Sequence, residues 1–150
     1  MMSTAAFKIA NKLLTGQGAV EQLAHELSRL NIHNPLIVTD AILIKSGTVE
    51  HVLKQLGERA YGIFDGVEPE PEIAIVEACA KVYRDGGHDG LIGVGGGSAI
   101  DIAKAVAGYV GHDGALETLF GVDQVKRKGP PLIAIPTTAG TGSEVTNVSI

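Results

Sequence analysis

Short apolar runs alternate along this chain with longer segments in which apolar residues recur at helical spacing. Four of the runs predict buried strands, and they read "PLIVTD" (35–40), "AYGIFD" (60–65), "DGLIGVGGG" (89–97) and "PPLIAIPTT" (130–138). A shorter run, "FKIA" (7–10), predicts a further strand near the start. Because the runs do not alternate with polar residues, they are typical of strands that helices cover on both faces.

The intervals between the strands predict four helices. The first spans residues 19–31, the second begins at Ser46 as its N-cap and ends near Gly57, the third has Pro71 in its first turn, and the fourth begins near Ser98. The apolar residues expected to face the core are, in the same order, Val20, Leu23, Ala24, Leu27 and Leu30; Val49, Val52, Leu53 and Leu56; Ile73, Val76, Ala80 and Tyr83; and Ala99, Ala103, Val106 and Val110.

Strands that alternate with helices predict the fold class, which is α/β: a Rossmann-like, mostly parallel sheet with helices on both faces. In such folds ligands bind at the carboxyl ends of the strands. This rule puts Asp40, Asp65, residues 95–98 and residues 137–143 on one rim of the sheet. Functional chemistry is therefore expected among these residues.

Composition narrows the classes of partner. The 150 residues predict one domain, and the net charge of −5 argues against nucleic acid and anionic membrane surfaces as partners. No apolar stretch approaches the ~20 residues of a membrane span and no leader is apparent, which predicts a cytoplasmic location. The one cysteine, Cys79, excludes an intrachain disulfide and is expected to be a small buried side chain.

The first candidate site is a glycine loop at a predicted strand–helix junction, "GVGGGS" (93–98). Gly95, Gly96 and Gly97 let the backbone turn sharply and let a phosphate approach its N–H groups, and the helix start and the Ser98 hydroxyl add donors. The spacing is neither G-x-G-x-x-G nor a P-loop. A tight turn without a ligand is the alternative, but three consecutive glycines followed by serine favour phosphate binding.

Two roles are open for Asp101, three residues after Ser98. The spacing is that of a capping box, in which Ser98 would bond the backbone of the first turn and Asp101 would bond back to the cap. Alternatively, Asp101 orients the glycine loop or a cofactor hydroxyl. Both roles can hold at once.

Two further stretches place polar groups at strand ends. Asp40 follows "LIVT", where a carboxylate can accept hydrogen bonds from both ribose hydroxyls and repel a 2′-phosphate; an N-cap or turn role is the alternative. After the last strand, "IPTTAGTGSEVT" (135–146) crowds hydroxyls around two glycines. Thr137, Thr138 and Thr141 can bond phosphates or a nicotinamide carboxamide there, and a plain polar loop is the alternative.

The residues themselves give no reactive centre. The five histidines form no H-x-x-x-H or H-E-x-x-H motif, no cysteine pair exists, and no Ser-His-Asp arrangement can be argued. No catalytic residue and no metal ligand is therefore assigned within the chain.

Together, "GVGGGSAIDIAKAVA" and "IPTTAGTGSEVT" resemble, in order and spacing, the N-terminal half of the iron-containing (group III) alcohol dehydrogenases. The likeness covers residues 5–150, including "TGQGAVEQL", "LIVTD" and "FDGVEPEP". It implies the dehydroquinate synthase-like superfamily, with a Rossmann-like dinucleotide domain, here residues 1–150. A helical domain would follow that domain and hold Fe²⁺ or Zn²⁺ through one Asp and three His.

The resemblance also implies roles for the candidate residues. Asp40 matches the acid of the adenosine ribose, which favours NAD over NADP. Gly96, Gly97 and Ser98 match the pyrophosphate loop, and Asp101 matches a motif position beside it. The second cofactor loop is matched by Thr137, Thr138 and Thr141. One position departs from the family pattern, because Glu70 stands where many members have Asn in V-x-P-N-P.

The activity implied is hydride transfer between a small-molecule alcohol or aldehyde and NAD, with the metal polarising the alcohol oxygen. Since the chain ends before the metal ligands, it is expected to be part of a longer homo-oligomeric enzyme and to be inactive alone. Glycerol dehydrogenase and a dehydroquinate synthase-like enzyme are alternatives within the superfamily. A stand-alone nucleotide-binding module without catalysis is the alternative from another class.

Overall fold

Four parallel strands form one sheet at the centre of the protein. The structure is a computed structural model, and it describes residues 12–119 and 128–138. The strands are β1 (Pro35–Val38), β2 (Gly62–Phe64), β3 (Gly90–Gly95) and β4 (Leu132–Pro136), arranged in the order β2-β1-β3-β4. All three pairings are parallel, so the four strands predicted after residue 30 and the fold class are confirmed. The strand predicted at residues 7–10 lies outside the described residues.

Five α-helices connect and cover the strands within the described residues. They are α1 (Leu23–Arg29), α2 (Ala41–Lys45), α3 (Thr48–Lys54), α4 (Ile73–Asp85) and α5 (Gly97–Tyr109). Short 3-10 turns lie at Ala19–Gln22, leading into α1, and at Leu116–Leu119. None of these helices is long and apolar enough to span a bilayer.

The start of the second predicted helix is wrong. The apolar pattern does not predict α2, which has Asp40 as its N-cap and Ser46 as its C-cap, so Ser46 ends one helix rather than beginning the next. The next residue, Gly47, has a φ of +79°, and α3 begins after it. The five residues of α2 are too few to show a helical period, and glycine supplies the left-handed backbone that the tight link between the two helices needs.

Two details of α4 also differ from the prediction. Pro71 lies before the helix, whose N-cap is Glu72, rather than within its first turn. Ile73 is 37% exposed and is not part of the buried stripe, which consists of Val76, Cys79, Ala80 and Tyr83. A residue at the first position of a helix lies at the end of the packed interface, where the apolar period alone does not guarantee burial.

The sheet is buried between two apolar layers. On one face, Leu36, Val38 and Leu91 pack with the buried side chains of α4 and α5. On the other face, Ile37 and Ile92 pack with those of α1 and α3. Successive strand residues point to opposite faces, so an uninterrupted apolar run is what a sheet covered on both sides requires.

Cys79 belongs to the first of these layers and is fully buried, as the sequence predicts. Desolvation raises the pKa of its thiol to about 12. Because the thiolate is the reactive form of cysteine, Cys79 behaves as an apolar packing residue at neutral pH.

The packing of α5 on β3 depends on Gly93. A Cβ at this position would lie 3.2 Å from the Cβ of Ala103 and 3.4 Å from the Cα of Ile100. The absence of a side chain therefore lets the helix lie close against the strand, and this contact fixes where α5 begins relative to the sheet.

We expect Gly93→Ala to lower the free energy of unfolding by about 1–3 kcal/mol, because the added methyl overpacks the strand–helix contact. Gly111→Ala is the matched control, since its added Cβ meets nothing within 4 Å. Urea unfolding of both variants measures the difference. Equal stabilities of the two variants would contradict the close packing described for α5.

Candidate functional site

The carboxyl edge of the sheet carries a cleft between the ends of β1 and β3. From β1 the chain crosses to β2 on one side, and from β3 it crosses to β4 on the other. Connections that diverge from neighbouring parallel strands leave a crevice outside the strand ends, where α/β proteins bind their ligands. The cleft here has a volume of about 530 Å³. That size lies within the range of roughly 300–1,000 Å³ that small-molecule sites occupy.

Four segments line the cleft. They are the start of α2, the connection after β2, the start of α5 and the end of β4. The lining residues of these segments are, in the same order, Asp40, Ala41, Ile42 and Leu43; Val67, Glu68 and Pro69; Gly96, Gly97, Ser98 and Ala99; and Thr137 and Thr138. Six of the nine predicted site residues are therefore among the lining residues: Asp40, Gly96, Gly97, Ser98, Thr137 and Thr138.

The glycine loop turns the chain from β3 into α5 at the cleft. Gly95 has a φ of +149°, and a Cβ there would lie 2.9 Å from the Cβ of Ala99, so both backbone and space require glycine. Gly96 is the N-cap of α5, and a Cβ on it would lie 3.0 Å from Thr138 Oγ1. The glycines thus leave the backbone of the loop without side chains where it passes between α5 and the end of β4.

The helix that follows begins with an uncapped first turn. α5 starts at Gly97, one residue before Ser98, and its N-cap residue, Gly96, makes no side-chain cap hydrogen bond. The predicted capping box is therefore wrong, because Ser98 is the second helical residue and not the cap. The first N–H groups of an α-helix have no partner within the helix, and together they carry a partial positive charge. These donors lie where Gly97, Ser98 and Ala99 line the cleft.

Asp101 lies one turn further along α5 and is only 8% exposed. Its Oδ1 atom is buried and has no hydrogen-bond partner among the described residues. Asp101 is not a lining residue of the cleft. The structure thus places Asp101 in the interior, within the first turns of α5, rather than on the wall of the cleft.

Asp40 has the N-cap role that its position at a strand end left open. Its Oδ1 accepts a hydrogen bond of 2.9 Å from the backbone N–H of Leu43, which caps α2. Its Oδ2 lies 3.8 Å from the place that a Cβ of Gly95 would occupy. One carboxylate oxygen therefore holds the helix, while the other lies beside the glycine turn in the cleft.

The end of β4 completes the cleft on the other side. The backbone N–H of Thr137 donates a hydrogen bond of 2.9 Å to the carbonyl oxygen of Gly95, which extends the ladder between β3 and β4 to the rim. Thr138 follows, with its hydroxyl close to Gly96. Thr141, the third threonine of the predicted loop, lies outside the described residues.

The connection after β2 reaches the cleft through residues that the sequence analysis did not single out. Asp65, which was expected on the rim, is not a lining residue, whereas Val67, Glu68 and Pro69 are. Asp40 pairs with Gly66 in an isolated antiparallel bridge, and the residues that follow this bridge, rather than Asp65 before it, reach the cleft. The turn signal at Asp65 and Gly66 was visible in the sequence, but the direction of the chain beyond it was not.

The described residues do not fit a metal site. Within residues 12–119 and 128–138, no group of three or more His, Cys, Asp or Glu side chains could hold a metal ion. The Fe²⁺ or Zn²⁺ that the family resemblance implies therefore has no ligand set in this part of the chain.

The comparisons with known proteins agree with this architecture. The family model described as "Iron-containing alcohol dehydrogenase" matches residues 10–150. The chain therefore belongs to the iron-containing alcohol dehydrogenase family, as its two motifs indicate.

Its relatives match over nearly the whole chain but over a minor part of their own length. Long-chain-alcohol dehydrogenase 1 of Geobacillus thermodenitrificans is 44% identical over 140 residues, which are 90% of this chain and 35% of the relative. A crystal structure of 1,3-propanediol oxidoreductase superposes with a TM-score of 0.91 at 34% identity, covering 96% of this chain and 38% of its own. Sulfoacetaldehyde reductase from Bifidobacterium kashiwanohense, solved in complex with NAD⁺, superposes with a TM-score of 0.83 at 32% identity. This match covers 90% of the present chain and 36% of the reductase chain.

The position that departs from the family pattern has an unusual backbone. Glu70 has a φ of +53°, in the left-handed region, and its side chain is exposed. Asn tolerates this conformation better than Glu because its short side chain bonds the local backbone. The departure at Glu70 therefore strains the backbone beside the cleft.

Glu70→Asn should raise the free energy of unfolding by about 0.5–1 kcal/mol, because it relieves part of the left-handed strain. Glu58→Asn makes the same chemical change at a second exposed residue, one that does not have a positive φ. Thermal or urea unfolding compares the two. A Glu70→Asn variant that is no more stable than the Glu58→Asn variant would show that the strain at Glu70 is negligible.

Proposed function

We propose that residues 1–150 form the dinucleotide-binding domain of an NAD-dependent alcohol dehydrogenase. The observation that carries the proposal is the cleft itself, in which an uncapped helix start, a side-chain-free turn and a carboxylate meet at the divergence of β1 and β3. A dinucleotide needs these three elements, because it has a pyrophosphate at its centre and a ribose with free hydroxyls on the adenosine side.

The start of α5 is the proposed pyrophosphate site. The first-turn N–H groups and the Ser98 hydroxyl would donate to phosphate oxygens, and the helix dipole favours their negative charge. Gly95, Gly96 and Gly97 leave the backbone bare at this point, so a phosphate could approach it closely. These local donors would bind the anion in a chain whose net charge is −5.

Asp40 is the proposed ribose ligand. Its Oδ2 lies beside the glycine turn while Oδ1 is used by the cap, so one oxygen is held in place and the other can accept a hydroxyl hydrogen bond. Holding Oδ1 fixes the side-chain rotamer before the cofactor arrives, which reduces the entropy lost on binding. The same negative charge would repel a 2′-phosphate, so NAD is preferred over NADP.

The threonines after β4 are the proposed contacts for the remainder of the cofactor. Thr137 and Thr138 line the cleft opposite the helix start, and Thr141 follows three residues later in the sequence. Their hydroxyls can donate to phosphate or bond a carboxamide without adding charge. Asp101, whose buried Oδ1 has no hydrogen-bond partner among the described residues, would orient the glycine loop when the cofactor is bound.

The bound nicotinamide would accept or donate the hydride, and the chain's own residues would bind and orient the cofactor.

We propose a small-molecule alcohol or aldehyde as the substrate, since the relatives are named for such oxidoreductions. The same names favour an alcohol dehydrogenase over a dehydroquinate synthase-like enzyme. The metal-binding helical domain and homo-oligomeric assembly that the family resemblance implies belong to the same proposal.

The proposal predicts that the chain binds NAD⁺ more tightly than NADP⁺ in a calorimetric titration. Asp40→Asn should weaken NAD⁺ binding by about fivefold to tenfold, because a charge-assisted hydrogen bond becomes a neutral one. Asn caps helices as well as Asp does, so α2 is kept and the variant isolates the charge. Equal affinities of the unmodified chain for the two cofactors, or unaltered NAD⁺ binding by Asp40→Asn, would remove the role given to Asp40.

A further inference from the structure

The connection between β2 and α4 is strongly acidic where it passes the cleft. Four carboxylates lie within its eight residues: Asp65, Glu68, Glu70 and Glu72. All four are exposed, and only Glu68 is a lining residue of the cleft. Among the described residues that line the cleft there is no Lys, Arg or His, so the described wall offers no basic side chain to neutralise this charge.

The backbone holds Glu68 near Asp40. Asp40 and Gly66 form an antiparallel bridge, and the N–H of Val67 donates to the carbonyl oxygen of Thr39 at 3.3 Å. Bridged residues have Cα atoms about 4.5–5.5 Å apart, and two further residues add at most ~7 Å. The Cα of Glu68 is therefore within about 13 Å of that of Asp40, a separation comparable to the Debye length of about 10 Å at 0.1 M salt.

The Glu68 carboxylate makes no hydrogen bond or ion pair with any described residue. It is therefore free to act on whatever occupies the cleft. A phosphate monoester carries a charge of about −1.5 to −2 at neutral pH, whereas a ribose hydroxyl carries none. A second carboxylate in the wall would thus disfavour a phosphorylated ribose far more than an unmodified one.

We infer that Glu68 is a second determinant of cofactor selectivity, which acts with Asp40 to exclude nucleotides that carry a 2′-phosphate. The inference rests on the proposed function of the cleft. Asp40 acts by direct contact with the ribose, and Glu68 acts through its field across the cleft. The selectivity for NAD then depends on two acids, Asp40 after β1 and Glu68 after β2, and not on one acid alone.

Glu68→Gln tests the inference by removing the charge while keeping the size of the side chain. Glu72→Gln is the matched control, because it makes the same change in net charge in the same connection but outside the cleft lining. Its side chain caps no backbone group, so the variant loses no cap. Calorimetric Kd values for NAD⁺ and NADP⁺ are measured for the unmodified chain and for both variants, at low and high salt.

We expect the ratio of the NADP⁺ to the NAD⁺ Kd to fall by about threefold to tenfold in Glu68→Gln at low salt, the size expected for one charge acting across a solvated cleft. In Glu72→Gln the ratio should change by less than about twofold, since Glu72 is exposed and does not line the cleft, so solvent and salt screen its charge from the cofactor. The difference between the variants should shrink at high salt.

NAD⁺ binding with the same ratio in Glu68→Gln as in Glu72→Gln would overturn the inference and leave the proposed function standing. A fall in the ratio that persists unchanged at high salt would also overturn it, because a field effect is screened and a contact is not. If the unmodified chain binds neither cofactor, both the inference and the proposed function fail.

Discussion

The close approach of α5 to β3 is the constraint on which the rest of the site depends. Gly93 leaves no side chain between strand and helix, and Gly95 turns the chain at a φ that other residues rarely adopt. A side chain at either position would push the helix away from the sheet. Because both are glycine, the uncapped start of α5 lies directly at the carboxyl edge, and its donors line the cleft.

The order of the strands supplies the other walls. Because β1 and β3 are neighbours whose chains leave in opposite directions, a crevice is left between their ends. Asp40 lies in this crevice, where its Oδ1 caps α2 and its Oδ2 lies beside the glycine turn. The same residue therefore stabilises the start of α2 and places a carboxylate oxygen in the cleft, so its capping role is compatible with the binding role proposed for it.

Much of this architecture was predictable from the sequence because buried strands and glycine turns leave strong local signals. The apolar runs gave β1 to β4, and the two glycine and threonine motifs gave the family. The short helix α2 was not predictable, since five residues show no period. The place of Glu68 in the cleft and the burial of Asp101 were not predictable either, because they depend on how the chain passes β1 and how deeply α5 packs.

The most direct test of the cleft as a dinucleotide site is a residue-by-residue titration by nuclear magnetic resonance. Amide shifts of the isotopically labelled chain are followed as NAD⁺ is added. The largest changes are expected at Gly96, Gly97 and Ser98, where unpaired helix N–H groups would gain phosphate partners, and at Thr138 across the cleft. Unchanged amides at these four residues at saturating NAD⁺, with shifts elsewhere in the chain, would contradict the central claim.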